Sequence, residues 1–477
     1  MNRLRVFLAI AAKPVFLLPQ VAPPMGLLYL AAYLREKFDT DIRIVNQRKD
    51  NCSVEELAKH AVDFGADVVG ISALTPSAHE VPPLTCMIRK GLPNALIVLG
   101  GPNVTASGAD AMAGTEADAA VSGEGELTLE ALINAWFDGG RDLSKIPNLM
   151  WRAPDGSVVR NPGETPLVED LDSLPFPAYD LIDMKDYWKS LSFTPIPHRK
   201  YISLFTSRGC PYKCIYCHRV FEKRFRAHSA GRVVDEIEHY VKTYGIDTVE
   251  ILDDVFNLDN RRVIEIAELM NRRNIKVHIT APNGVRADVF KEETMDALVG
   301  AGLDFCSFAL ESGSPRIQEL MGKRLNIPKF LQTMEWASRR GVFVHCFNML
   351  GFPTETAEEM QQTIDVCLNS KTHTASFFTV TPYPGTALYR LAMETVPERM
   401  TALDYRDIEL SNVRINLSAV PDNVLFAYQR KAQRTFYMRP SRIWRILRDH
   451  PQRTSLLGYG MQFLLRANKQ LLGGGGS

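Results

Sequence analysis

Apolar positions along the chain alternate between two rhythms. Short unbroken runs are the mark of strands buried on both faces, and stretches with apolar residues three and four apart are the mark of helices with one buried face. Over the first 150 residues, strands are expected at Leu4–Ala11, Ile42–Asn46, Asp67–Ser72, Leu96–Gly100 and Ala119–Val121. Helices are expected between them at Met25–Phe38, Val54–Phe64 with Ser53 as N-cap, Pro82–Gly91 and Glu126–Phe137. This order makes a parallel, doubly wound (Rossmann-like) sheet, whose ligands bind outside the carboxyl ends of the strands.

From Tyr201 the alternation resumes. Strands are expected at Tyr201–Thr206, Thr248–Leu252, Lys276–Ala281, Phe305–Leu310, Val342–Leu350 and Ala375–Thr381. Helices fall between them at Ala230–Tyr244, Arg261–Arg273, Lys291–Ala301, Ile327–Arg340 and Ala357–Ser370. Six such βα units form a partial barrel of the TIM type, (β/α)6, with its working residues at the carboxyl ends of the strands. The intervening residues carry Pro154, Pro162, Pro166, Pro175, Pro177, Pro195 and Pro197, and read as an ordered connector with a hairpin at Met150–Val159 around Asp155-Gly156. The expected organisation is therefore 1–150, a connector at 151–199, a barrel at 200–400, and a small, mainly helical region at 401–477.

Composition narrows the class. A chain of 477 residues exceeds one core, and 45% apolar with 23% charged residues is ordinary for a soluble globular protein. A formal net charge of zero gives no sign of a nucleic-acid partner. Eight cysteines, three of them clustered, are not a disulfide framework and fit a reducing cytoplasm. The apolar run Val6–Ala12 is short for an export signal and reads as the first strand, and prolines and Gly26 interrupt the apolar region from Pro14 to Leu34. Between Gln429 and Lys469, ten lysines and arginines stand against the single acid Asp449, interleaved with Phe436, Ile443, Trp444, Leu447, Leu457 and Phe463–Leu465. Such helices suit an anionic membrane surface, or else pack on the barrel with a solvated basic face. Gly473–Gly476 and Ser477 read as a flexible end.

The chemistry concentrates on one loop, Ser207-Arg208-Gly209-Cys210-Pro211-Tyr212-Lys213-Cys214-Ile215-Tyr216-Cys217-His218. The spacing C-x3-C-x2-C lets three thiolates converge on one inorganic centre, as iron–sulfur clusters require. Three thiolates leave one iron of a [4Fe–4S] cluster open to a ligand from outside the protein. A haem attachment signal would leave Cys210 unexplained. A zinc site would have to share the adjacent Cys217 and His218 in one tetrahedron.

This loop resembles that of the radical S-adenosylmethionine (SAM) superfamily, in which SAM chelates the open iron and one electron cleaves it to a 5′-deoxyadenosyl radical. The resemblance covers about 200–400 and assigns Cys210, Cys214 and Cys217 to the cluster. It implies that Asp253 and Asp254 receive the SAM amino group and that Glu311 and Ser312 bond the ribose. Gly351, in Gly351-Phe352-Pro353, would pack on adenine, with Tyr216 at the adenine edge and Arg286 at the SAM carboxylate. The remaining cysteines, Cys52, Cys86, Cys306, Cys346 and Cys367, form no second cluster motif, which disfavours the methylthiotransferase branch.

Two loops of the first domain carry a second resemblance. Ser72-Ala73-Leu74 and Gly100-Gly101 end successive strands, and match the S-x-L and GG pair of cobalamin-binding Rossmann-like domains. A serine hydroxyl can bond a buried nucleotide tail, and paired glycines let backbone approach it. Glu124, in Gly123-Glu124-Gly125-Glu126, resembles a recurrent turn of these proteins. The first loop reads Asn46-Gln47-Arg48-Lys49-Asp50-Asn51, without the histidine that ligates cobalt in classical cobalamin domains. No His ligand is expected from this loop, and resemblance to cobalamin-dependent radical SAM enzymes implies cobalamin that is base-off with no protein His ligand; the alternative is a domain that binds nothing.

Residues about 1–400 resemble cobalamin-dependent radical SAM enzymes, and the run Phe436-Tyr437-Met438-Arg439-Pro440 looks like the tail of the branch that includes anaerobic porphyrin cyclases and hopanoid methylases. The resemblance implies a methyltransferase acting on an unactivated carbon through the deoxyadenosyl radical and methylcobalamin. Cyclisation, rearrangement or oxidation without methyl transfer is the alternative enzyme reading, and a non-catalytic cobalamin or redox sensor the alternative of another class. Expected partners are a small-molecule substrate, large and apolar such as a lipid or tetrapyrrole, and a flavodoxin or ferredoxin as reductant. Peripheral contact with the inner membrane surface would run through the C-terminal region.

Overall fold

The computed structural model describes residues 3–12, 21–138, 140–194, 196, 199–218, 220–407, 415–453 and 456. Its first sheet has the order β2-β1-β3-β4-β5-β6-β7. The strands are β1 (Leu4–Ala11), β2 (Thr40–Asn46), β3 (Val68–Ala73), β4 (Leu96–Gly100), β5 (Ala119–Ala120), β6 (Met150–Arg152) and β7 (Val158–Arg160). Pairing is parallel from β2 through β5. The order reverses between β1 and β3, which opens a crevice at their carboxyl ends. Helices cover both faces, because the strands are apolar on both sides: Phe7, Val69 and Ile97 enter one core, and Leu8, Val68 and Val98 the other. Ser53 caps the Val54–Phe64 helix, in a capping box with Glu56.

The hairpin expected in the connector is present, turning at Gly156, and it adds to this first sheet. Trp151 pairs antiparallel with Ala119. The sheet therefore extends beyond residue 150, to Arg160.

The second sheet is entirely parallel, in the order β15-β14-β13-β12-β11-β8. It comprises β8 (Tyr201–Leu204), β11 (Thr248–Ile251), β12 (His278–Ala281), β13 (Leu303–Glu311), β14 (Phe343–Leu350) and β15 (Thr374–Thr379); the short β9 (Ser207–Arg208) and β10 (Arg226–Ala227) pair with each other. Ile202, Val249, Ile279, Phe308 and Val344 point outward into the core shared with the surrounding helices, among them Ala230–Tyr244 and Asn260–Arg272. The alternate positions Ser203, Glu250, Thr280, Ser307 and His345 consequently line the inside. The connector closes the amino-terminal end of the barrel: Ser192 Oγ donates to Glu250 over 2.6 Å, and Ile196 packs on Phe305 and Phe343.

The C-terminal segment is helical at Asp422–Tyr437 and Pro440–Asp449. The first helix packs through Leu425, Ala432 and Phe436 and covers β15. There the Tyr437 hydroxyl accepts from Ala375 N and donates to Ala375 O, and Gln429 donates to Phe377 O. In the second, Arg442 is buried against the carbonyls of Leu368, Ser370 and Thr372, while Ile443, Trp444 and Leu447 remain 46%, 64% and 49% exposed. Leu457, Phe463–Leu465 and Gly473–Gly476 lie outside the described residues.

Candidate active site

The cysteine loop leaves β8 and is pinned at both ends by the pairing of Arg208 with Arg226. Gly209 has φ +83°, and a Cβ there would lie 2.2 Å from Arg224 O, so only glycine makes this turn. Ile215 N donates to Met321 O over 3.0 Å, Leu388 N donates to Ile215 O over 2.8 Å, and the Arg286 guanidinium lies 3.9 Å from the Tyr212 ring centre. Cys210 and Cys214 are half-buried and Cys217 is exposed. The Cys217 thiol hydrogen-bonds Cys214 and, with Lys323 and Arg286 nearby, holds Cys214 down at about 6. Three thiols on one anchored loop with cations beside them suit an anionic cluster. Among the described residues no three His, Cys, Asp or Glu side chains converge on a single-ion site.

The expected SAM residues divide into two sets. Tyr216, Glu311 and Gly351 come together beside the loop. The Tyr216 hydroxyl lies 3.5 Å from Glu311 Oε1, and its ring meets Phe352 edge-on at 6.0 Å. Glu311 has φ +63°, an uncommon backbone state for a residue with a side chain, and Lys323 Nζ stands 3.5 Å from its carboxylate. Gly351, at φ +94°, is held by Glu355, whose Oε2 accepts from Gly351 N at 2.6 Å and Phe352 N at 3.0 Å. Asp254 is exposed beside Cys210 and accepts from the Gly209 backbone.

The other three side chains are engaged elsewhere. Asp253 is buried beneath the loop, accepting from Thr206 N and Oγ1, each at 2.6 Å, and from Ser207 Oγ. Ser312 turns inward to Thr363 Oγ1 at 3.3 Å. Arg286 forms a two-pronged pair with Asp288 and donates to Lys323 O over 2.8 Å, bracing the loop. Sequence reasoning missed Lys323, which nothing in the Met321–Arg324 turn signals, and gave no role to Glu355, which closes the Leu350–Glu355 stretch that contains Gly351.

In the first domain, Ser72 and Gly100 are register partners at the carboxyl ends of β3 and β4. Gly101 has φ +80°, and a Cβ on it would come within 2.2 Å of Ser72 Oγ. Leu74 is 46% exposed at the same edge. Bare backbone, one hydroxyl and one exposed leucine form a cradle suited to a cofactor tail. The Asn46–Asn51 loop folds as a short helix at Gln47–Asp50, and Gln47 Oε1 accepts from Ala12 N. The two domains meet through their carboxyl ends: a Cβ on Gly385 would lie 2.6 Å from Ala106 O, and one on Gly123 would lie 3.6 Å from Val220 O of the cysteine loop.

The family description "Radical SAM superfamily" matches residues 204–367, and "B12 binding domain" matches 15–133. An uncharacterized methyltransferase, PH0819, of Pyrococcus horikoshii is 31% identical over 431 residues, 90% of each chain. This chain belongs to the B12-binding radical SAM family. The anaerobic magnesium-protoporphyrin IX monomethyl ester cyclase of Rubrivivax gelatinosus is 25% identical, over 93% of this chain and 79% of that one. The fold is similar to TsrM from Kitasatospora setae, a radical SAM methyltransferase solved with cobalamin and a [4Fe–4S] cluster. The TM-score is 0.68 and the identity 19%, covering 83% of this chain and 78% of that one. The radical SAM domain implies a [4Fe–4S] cluster and SAM, and the B12-binding domain implies cobalamin.

Two further features of this radical SAM enzyme bear on its site. Glu124 does not face the cradle at Ser72, Gly100 and Gly101. It is buried against Arg226 and Arg208 and accepts from Val168 N, because β5 delivers it to the barrel side. Among the aromatic positions, the His218 ring lies tilted against Tyr383, with centres 5.2 Å apart, beside the loop. Inside the barrel, His345 bonds Thr374 Oγ1 at 2.8 Å and Ser376 Oγ at 3.1 Å, and burial pushes it down to about 4. His228 faces Asp172 and His373 faces Asp449.

Proposed function

We propose that this radical SAM enzyme methylates an unactivated carbon of a large, largely apolar substrate, with tetrapyrroles and lipids as the classes to test. When bound, cluster and SAM supply a radical that takes hydrogen from such a carbon, and cobalamin supplies the methyl group. The observation that supports the reading is the apposition of the two sets of carboxyl ends, cradle against cysteine loop, so that one substrate carbon can be reached from both. Ser72, Gly100 and Gly101 would hold the cobalamin, base-off and without a histidine ligand. Cys210, Cys214 and Cys217 would hold the cluster, Asp254 would take the SAM amino group, and Tyr216, Glu311 and Gly351 would hold the adenosine. Ser192 and Ile196 would exclude water from the far end of the barrel, inside which neutral His345 is held by Thr374 and Ser376.

Anaerobic purification with cobalamin, followed by iron and corrin assay per chain, tests the two-cofactor reading. Counting S-adenosylhomocysteine against 5′-deoxyadenosine then tests methyl transfer, which yields both. Cyclisation yields only the second product, and the cyclase relative spanning most of this chain favours it as the second reading. A low-potential flavodoxin or ferredoxin would supply the electron in the cytoplasm. Among the described residues no helix is long and apolar enough to cross a membrane. Peripheral contact is proposed for the Ile443, Trp444 and Leu447 face; a sedimentation assay with anionic vesicles in which the chain stays in solution would exclude it.

A further inference from the structure

Four buried charges join the two domains directly behind the cysteine loop. Glu124 and Glu126 come from the turn after β5, and Arg208 and Arg226 from the β9–β10 pair, all between 3% and 6% exposed. Arg208 Nη2 lies 2.7 Å from Glu126 and its Nη1 lies 3.2 Å from Glu124, while Arg226 pairs with Glu124 and donates to Val168 O over 2.5 Å. The Arg208 guanidinium is also held between two rings, each centred 5.2 Å away: Tyr29 of the first domain and Phe221 of the cysteine loop. Burial opposes ionisation of Glu126, yet Arg208 holds its carboxyl below the usual range.

Apolar residues of similar volume would stabilise such an interface as well or better, since desolvating four charges is costly. What the charges add is direction. A planar fork facing a carboxylate fixes angle and distance, where an apolar contact can slide. Arg208 stands two residues before Cys210, and Glu124 follows Gly123, whose backbone N donates over 2.9 Å to Thr105 Oγ1 on the helix that starts at Gly101. We infer that Arg208, Arg226, Glu124 and Glu126 are positioning residues that set the separation and angle between the cobalamin cradle and the cluster loop. The inference rests on the two-cofactor reading.

Pulsed electron paramagnetic resonance between cob(II)alamin and the reduced cluster in the full chain reads that separation directly. The variants are Glu126→Gln, Arg208→Lys, and Arg208→Gln with Glu126→Gln, the last leaving no uncompensated charge if a single change prevents folding. Arg199→Gln is the control, since it breaks the Arg199–Asp304 pair (2.7 Å) at the opposite end of the barrel. The expected result is a shifted or broadened distance distribution in the quartet variants and an unchanged one in the control. S-adenosylhomocysteine should fall about a hundredfold relative to 5′-deoxyadenosine, the scale of a 1 Å misplacement. Distributions that superimpose on that of the unmodified chain, or a control that broadens equally, overturn the inference. An unmodified chain that takes up iron but no corrin overturns the two-cofactor reading, and this inference with it.

Discussion

Gly100 and Gly101 are adjacent, yet alanine at each should fail differently, and the difference tests whether the cradle holds a ligand. Gly100 has extended backbone at φ −152°, and a Cβ there would meet only Val121 O, at an ordinary 3.9 Å. Gly100→Ala should therefore fold as well as the unmodified chain. A methyl group placed where cofactor approaches backbone costs about 1–3 kcal/mol as overpacking, roughly 5- to 150-fold in affinity. Gly101→Ala meets φ +80° and a 2.2 Å approach to Ser72 Oγ with no ligand present. The left-handed backbone alone costs about 1–2 kcal/mol, so a drop of several degrees in melting temperature is expected. Corrin binding by absorbance titration, together with thermal unfolding of the cobalamin-free chain, separates the two effects. Unaltered corrin affinity in Gly100→Ala would refute the placement of the cofactor tail at this backbone.

Other perturbations follow from the same geometry. Cys214→Ser should lose the iron while retaining corrin, measured as iron and cobalt per chain; loss of both would mean that the cluster loop supports the first domain. Burial raises Glu355 to about 8, so it is protonated at neutral pH. Glu355→Gln should then be nearly neutral in urea unfolding, while Glu355→Ala strands two buried N–H groups at about 1–3 kcal/mol each; equal losses would contradict this. His345 is depressed from 6.5 to about 4, so the unfolded chain binds the extra proton. Its share of stability is present above about pH 6.5 and lost as pH falls toward 4, at most about 3 kcal/mol. His345→Gln should flatten that part of the stability–pH curve, and an unchanged slope would count against the assignment.

Most of the architecture was legible because nearly every strand is buried on both faces and reads as an unbroken apolar run. Leu4–Ala11, Leu96–Gly100 and Glu126–Phe137 have the bounds that their apolar pattern predicts. The hairpin's attachment to β5 was not legible, since an antiparallel edge of three residues per strand carries no sign of its partner. At the site, glycines at forced turns and the cysteine spacing announce themselves, because each needs one residue type. Carboxylates do not. Asp253 and Asp254 are neighbours in sequence, but successive side chains leave a strand end in opposite directions, so one is a buried strut and the other faces the loop. Glu124 reads as part of a tight turn, and only the fold reveals that two arginines more than 80 positions away in the chain, Arg208 and Arg226, receive it.

The helix Asp422–Tyr437 bears on how the chain is made. Among the described residues β15 has a partner strand on one edge only, and on its other edge a tyrosine hydroxyl and a glutamine amide stand in for a neighbour. Those groups lie some 50 to 60 residues downstream of the strand they satisfy. During synthesis the barrel therefore leaves the ribosome with a raw β edge, open to pairing with a neighbouring chain, until the helix arrives to cover it. A truncation near residue 400 should aggregate even with every cysteine and glycine of the site in place, and slow translation past β15 should lower the soluble yield. Covering that edge is thus a second task for the helix Asp422–Tyr437, besides packing on the barrel.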